Sequence, residues 1–239
     1  MDANTLSVTD RMQLVVDQWD GENDRRAIFL SCYRMMTANM LQAVADEEFE
    51  DPVWVTKLLH DFADYYFTAL DAYNTGQPHT PAIWKMTFEA AQRPRTHVLQ
   101  HLVLGVNAHI NYDLVFVIYD ILHEEWPQLS ATDRQMRYRD HCHVNEIIYQ
   151  TINCVQDKVV ERYSPAMDIV DKVFLTVDEW LLYRLISKWR DQVWMNAERL
   201  MQCSELESAD VRQLVEDRSV LRARGLLFDS GVLGLRHVF

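Results

Sequence analysis

One stretch limits the possible folds more than any other. From Val98 to Leu122 the chain is almost wholly Leu, Val, Ile, Ala and aromatic, yet it carries His101, Asn107, His109, Asn111, Asp113 and Asp120. Its length suits a membrane span of about 20 residues. Its polar content does not, because an Asp at a bilayer centre costs about 2.5 kcal/mol or more. The expectation is a helix apolar on nearly every side, buried at the centre of a helical bundle.

The rest of the chain agrees with helices. Its 239 residues include only 6 Gly and 6 Pro, half of the roughly 12% usual share for those two turn formers. Ile28, Phe29, Cys32, Tyr33, Met36 and Met40 recur every three or four residues, as one helix face requires. Asp51-Pro52 reads as a helix start, an N-cap followed by Pro at the first helical position, and Thr80-Pro81 repeats it. Ser130 to Asp133 caps the helix that follows Pro127, expected to run to about Arg162 and end at Ser164-Pro165. A short helix near Asp168 and helices around 177–201 and 209–227 follow. No strand pattern, repeat or linker interrupts them. The expected fold is all-α, a single multi-helix bundle over residues 1–239 with a buried central helix.

The net charge of −13 disfavours nucleic acid and anionic membrane surfaces, whose phosphates need Lys and Arg. The four Cys, at 32, 142, 154 and 203, form no CxxC pair, which argues against a zinc ribbon or dithiol site. The N-terminal MDANTLSVTD has neither the basic nor the apolar region of a signal peptide. A cytoplasmic protein with free thiols is expected. HExxH, GxSxG, Walker and GxGxxG motifs are absent, as is the Glu-x-x-His pair of di-iron bundles. His60-Asp61 resembles the doublet of helical phosphohydrolases but lacks the earlier His that those sites need.

Chemistry therefore concentrates in GVNAHINYDL, Gly105 to Leu114. With about 100° per residue, Gln100, Asn107 and Asn111 share one face, while His101, Gly105, His109 and Asp113 share the other. The amide stripe suits cross-helix hydrogen bonds, since buried polar groups are bonded. His109 and Asp113 are one turn apart and point the same way. That pair reads in three ways: ligands of one divalent metal (zinc, iron or manganese), an acid–base pair, or a buried His held by its own Asp. Gly105, one turn below, removes bulk for a ligand or for a neighbouring helix.

LQHLVLGVNAHINYDL (Leu99 to Leu114) resembles the LQHLLLGxNAHINxDL signature of an uncharacterised, largely bacterial all-helical family, a domain of unknown function. DPVWVTKLLHDFADYYFTAL, WKMTFEAA, RDHCHVNEIIYQTINCVQDKVVERYSP and KWRDQVWMNAERL resemble further elements of it, so the likeness covers about 33–201 and leaves a C-terminal helix and tail over 205–239. One departure is His141, where the family usually has Phe. The resemblance implies that His101, Asn107, His109, Asn111, Asp113, Asp140, Asn145 and Arg190 belong together. Polar residues from three helices meeting in an apolar bundle are what a pocket needs.

The leading expectation is an enzyme acting on a small, fairly apolar molecule, either a metal-dependent hydrolase or an acid–base lyase or cyclase. His109, Asp113 and Asp140 are its expected catalytic groups, with His109 and Asp113 also the candidate metal ligands. Asn107, Asn111, Asn145, Arg190 and His101 are expected to hold substrate. The alternative is a non-catalytic small-molecule-binding or protein-interaction module, in which the cluster is a hydrogen-bond network fixing helix register.

Overall fold

The computed structural model describes residues 6–94, 96–155, 158–159, 161–163 and 179–228. Among them there is no strand. In chain order the helices are α1 (Val8–Glu22), α2 (Ala27–Ala45), α3 (Pro52–Asn74), α4 (Ala82–Ala91), α5 (Val98–Ala108), α6 (Leu114–Leu122), α7 (Ala131–Val155), a single turn α8 (Glu161–Tyr163), α9 (Glu179–Gln202) and α10 (Glu205–Phe228). The fold is the expected all-α one. The helix end at Ser164-Pro165, the short helix near Asp168 and the tail from residue 229 lie outside the described residues.

The helix starts show which sequence signals acted. Asp51 accepts the Trp54 N–H with Pro52 next to it, as the Asp-Pro signal predicts. Thr80-Pro81 precedes a helix too, but Thr80 donates its hydroxyl back to the Gln77 carbonyl. The free N–H of Ala82 is instead taken by the Glu216 carboxylate of α10, from across the fold. Ser130 with Asp133, and Ser204 with Glu207, form reciprocal capping pairs.

Val98 to Leu122 forms the expected central rod. By length and composition it is long and apolar enough to cross a membrane, and most of it is buried inside the protein. It packs against α2, α3, α4, α9 and α10. One apolar cluster gathers α3, α9 and the α6 half, through residues such as Leu58, Ile118 and Val193. A second gathers α1, α2, α4 and the α5 half, through Leu30, Trp84 and Leu104.

The rod is not one regular α-helix. His109–Asp113 is a π turn, closed by the Leu114 N–H donating to the His109 carbonyl five residues back. Such widened turns are rare and frequent at functional sites. Ser219 of α10 shares its hydroxyl proton between the Asn111 carbonyl at 3.2 Å and its own helix's Val215 carbonyl at 2.9 Å. Backbone polarity exposed by the wider turn thus finds a partner on the neighbouring helix.

Candidate functional site: a histidine at an apolar cavity

The π turn divides the polar residues of the rod between two sides. On one side Gln100 donates to the Leu226 carbonyl, Asn107 donates to the Ser219 carbonyl, and Asn111 donates to the Asn107 side-chain oxygen. The amide stripe therefore docks α10. Asn107 and Asn111, expected to hold substrate, make these bonds, and neither residue lines the large cavity described below.

On the other side, His109 Nδ1 is 2.9 Å from Asp113 Oδ2. The Trp84 indole N–H of α4 donates to both Asp113 oxygens, at 3.0 and 2.9 Å. The imidazole is stacked flat on Phe62 of α3, with ring centroids 3.5 Å apart, and meets Tyr33 of α2 edge-on at 4.2 Å. Four helices thus fix one ring. Its Nε2 is buried and has no hydrogen-bond partner.

Burial sets the protonation. It raises Asp113 well above the ordinary carboxylate range, opposed by the Trp84 hydrogen bond, and holds His109 well below its ordinary value. Both shifts favour an uncharged pair. Such a pair has one proton on the line between Nδ1 and Oδ2 and a second on Nε2, so the ring presents an N–H donor.

That ring lines a cavity of about 190 Å³ formed between α2, α3, α5, α6, α7 and α9. Met36, Leu58, Phe62, Leu102, Ile148 and Ile186 typify its walls. An apolar cavity of about 150 Å³ is enough to take benzene. Cys32 also lines it, with its thiol pushed up to about 12 by burial, which removes it as a nucleophile at neutral pH. Among the described residues, the charged group on the wall is Arg190 of α9.

Arg190 was expected near Asp140, and the structure separates them. Arg190 donates through Nη2 to the His141 carbonyl at 2.8 Å and lies 3.3 Å from His141 Nδ1, while His141 Nε2 donates to the Arg190 carbonyl at 3.0 Å. Asp140 instead accepts the backbone N–H groups of Glu50 and Asp51, both at 2.8 Å, at the entry to α3. It does not line the cavity. Asn145 is buried with its side-chain oxygen unpartnered, also away from the cavity wall.

His101 is buried beyond the cavity wall, its Nε2 unpartnered, and burial with the nearby Arg25 charge lowers its pKa to about 4. The sign of the consequence is fixed. The unfolded chain takes up a proton near pH 6.5, while the folded chain resists until about pH 4, so acidification through that window favours unfolding. Between pH 7.5 and 5, wild type is expected to lose about 2 kcal/mol more stability than His101→Gln. Urea denaturation of both proteins at the two pH values measures this.

The structure brings together His109, Asp113 and Arg190 of the expected set, the first and third on the cavity wall and Asp113 behind His109. Trp84 and Phe62 were not singled out as site residues, and His141 was named only as a departure from the family pattern. Trp84 and Phe62 stand in segments that the family resemblance had already marked. Among the described residues no group of three or more His, Cys, Asp or Glu is placed to hold a metal ion. No curated protein and no solved structure matches the chain. A family model matches residues 6–228, nearly the whole length, and the chain belongs to that family, the family of unknown function DUF5995.

Proposed function

We propose that the protein is an enzyme that binds a small, mainly apolar molecule in the cavity and transfers protons to and from it at His109 Nε2. The observation that carries this reading is the buried, unpartnered Nε2 on an apolar wall, backed by Asp113 and Trp84. An unsatisfied buried donor costs about 1–3 kcal/mol, a cost that a ligand acceptor relieves.

The chemistry such a pair completes alone is an elimination or a cyclisation. Nε2 gives its proton to one atom of the bound molecule and takes one back from another, so the pair is restored and no bond to the protein forms. As Nε2 gives up its proton, the proton held between Asp113 and Nδ1 passes to Nδ1, and the negative charge rests on Asp113, hydrogen-bonded by the Trp84 N–H, until Nε2 takes a proton back. The metal reading would need further ligands, because the Asp113 oxygens already face Trp84 and His109. The proposal uses no metal.

The test is organic extraction of the purified protein and mass spectrometry of what leaves it, followed by incubation of that compound with wild type, His109→Gln and Asp113→Asn. The reading predicts conversion by wild type and a loss of about 100-fold or more in His109→Gln. A compound that is bound but never converted makes the protein a carrier. About one equivalent of zinc, iron or manganese, lost in Asp113→Asn, overturns the metal-free mechanism.

A further inference from the structure

The cavity holds a second polar group that the proton-transfer reading leaves unused. Arg190 is 4% exposed, and no carboxylate among the described residues forms an ion pair with it. Asp140, next to His141 in the chain, and Asp191, next to Arg190, form no ion pair with it. Asp140 is spent on backbone N–H groups of the α3 entry, and Asp191 is exposed. Of the five guanidinium N–H donors, those on Nη2 meet His141, and Nε is buried without a partner. A buried cation with no carboxylate bonded to it is costly, by several kcal/mol before compensation, and the exposed Asp191 favours its charge only from a distance.

We infer that Arg190 is the anchor for a carboxylate, and that the natural ligand is a small amphipathic monocarboxylic acid with an apolar body of roughly eight heavy atoms. This rests on the cavity being a ligand site, as proposed above. The charge count selects the acid. One carboxylate neutralises one guanidinium and matches its planar fork of donors. A phosphate monoester, with nearly two charges, would leave net negative charge in an apolar chamber. The wall is mostly Leu, Val, Ile, Met and Phe, which suits an alkyl or aryl body, and its few polar groups, among them Tyr33 and Thr37, are too sparse for a sugar or a peptide. His141 holds the guanidinium in place from behind, so the anchor is positioned before the ligand arrives.

Octanoate and octan-1-ol separate the anchor from the cavity, because they share a body and differ in charge. Calorimetric titration of wild type at pH 7.5 is expected to show octanoate binding at least 10-fold more tightly than octanol. Arg190→Met is expected to invert that order, and His109→Gln to preserve the carboxylate preference. Should Arg190→Met fail to fold, the wild-type comparison decides alone. Octanol binding as well as octanoate or better in wild type overturns the anchor and leaves the cavity reading standing. Binding of neither overturns both.

Discussion

Asp140→Ala is expected to lower unfolding free energy by about 3 kcal/mol or more. The carboxylate is 2% exposed and accepts two backbone N–H groups at 2.8 Å, from Glu50 and Asp51. Hydrogen bonds to a charged group contribute about 1.5–3 kcal/mol each, and alanine leaves both donors without this partner. Asp140→Asn keeps one acceptor oxygen and is expected to lose about half as much. Urea denaturation checks this through a lower midpoint at unchanged slope. The same variants separate two roles for Asp140. A residue that caps the entry to α3 changes stability and leaves turnover of the extracted compound within about twofold, whereas a catalytic carboxylate would do the reverse.

Gly105→Ala is expected to destabilise by about 2–3 kcal/mol, near the upper end for overpacking. A Cβ at this position would stand 2.2 Å from Phe29 Cγ, 2.3 Å from Cδ2 and 2.8 Å from Cβ. These atoms belong to the base of the side chain and the near edge of the ring, where movement is least free. The ring is held by Tyr33, Tyr66, Trp84 and His109, with centroids 5.7–5.9 Å away. Alanine gains up to about 1 kcal/mol in helix propensity, which the clash exceeds. Helix α2 must then move, and since Phe29 lines the cavity, octanol affinity is expected to fall with stability. Phe29→Leu in the same chain should restore part of both, as coupled neighbours do. An alanine variant as stable as wild type would contradict the close approach of α2 to the rod.

These two residues also show how far the sequence could be read. The central helix was legible because an apolar run with isolated polar groups has few other homes than a bundle core. The amide stripe was legible as cross-helix bonding because Gln100, Asn107 and Asn111 share a face. Gly105 was readable as missing bulk, but whether a ligand or a helix used the space depended on Phe29, 76 positions earlier in the chain.

The site was less legible because its partners are distant or carry no side-chain signal. Asp140 resembled a catalytic carboxylate, yet its partners are main-chain N–H groups. Trp84 looked like core, and its bond to Asp113 exists only once α4 packs on the rod. The π turn leaves no local mark either, since the hydroxyl that meets its Asn111 carbonyl comes from Ser219, 108 residues away. Arg190 was expected to hold substrate and to stand with Asp140. The entry to α3 claims Asp140 through the Glu50 and Asp51 N–H groups, which the sequence around Asp140 does not show.

The account turns on His109 Nε2 facing a chamber that a small molecule enters. The most direct measurement is nitrogen NMR of protein labelled in its histidine rings, with His109 assigned by loss of its signals in His109→Gln, during titration with octan-1-ol. The account predicts an Nε2-protonated ring between pH 6 and 8 whose Nε2 resonance moves with octanol while Nδ1, held by Asp113, stays nearly fixed. Octanol that binds without shifting His109, or a His109 ring that titrates near pH 6.5 as in water, would contradict it.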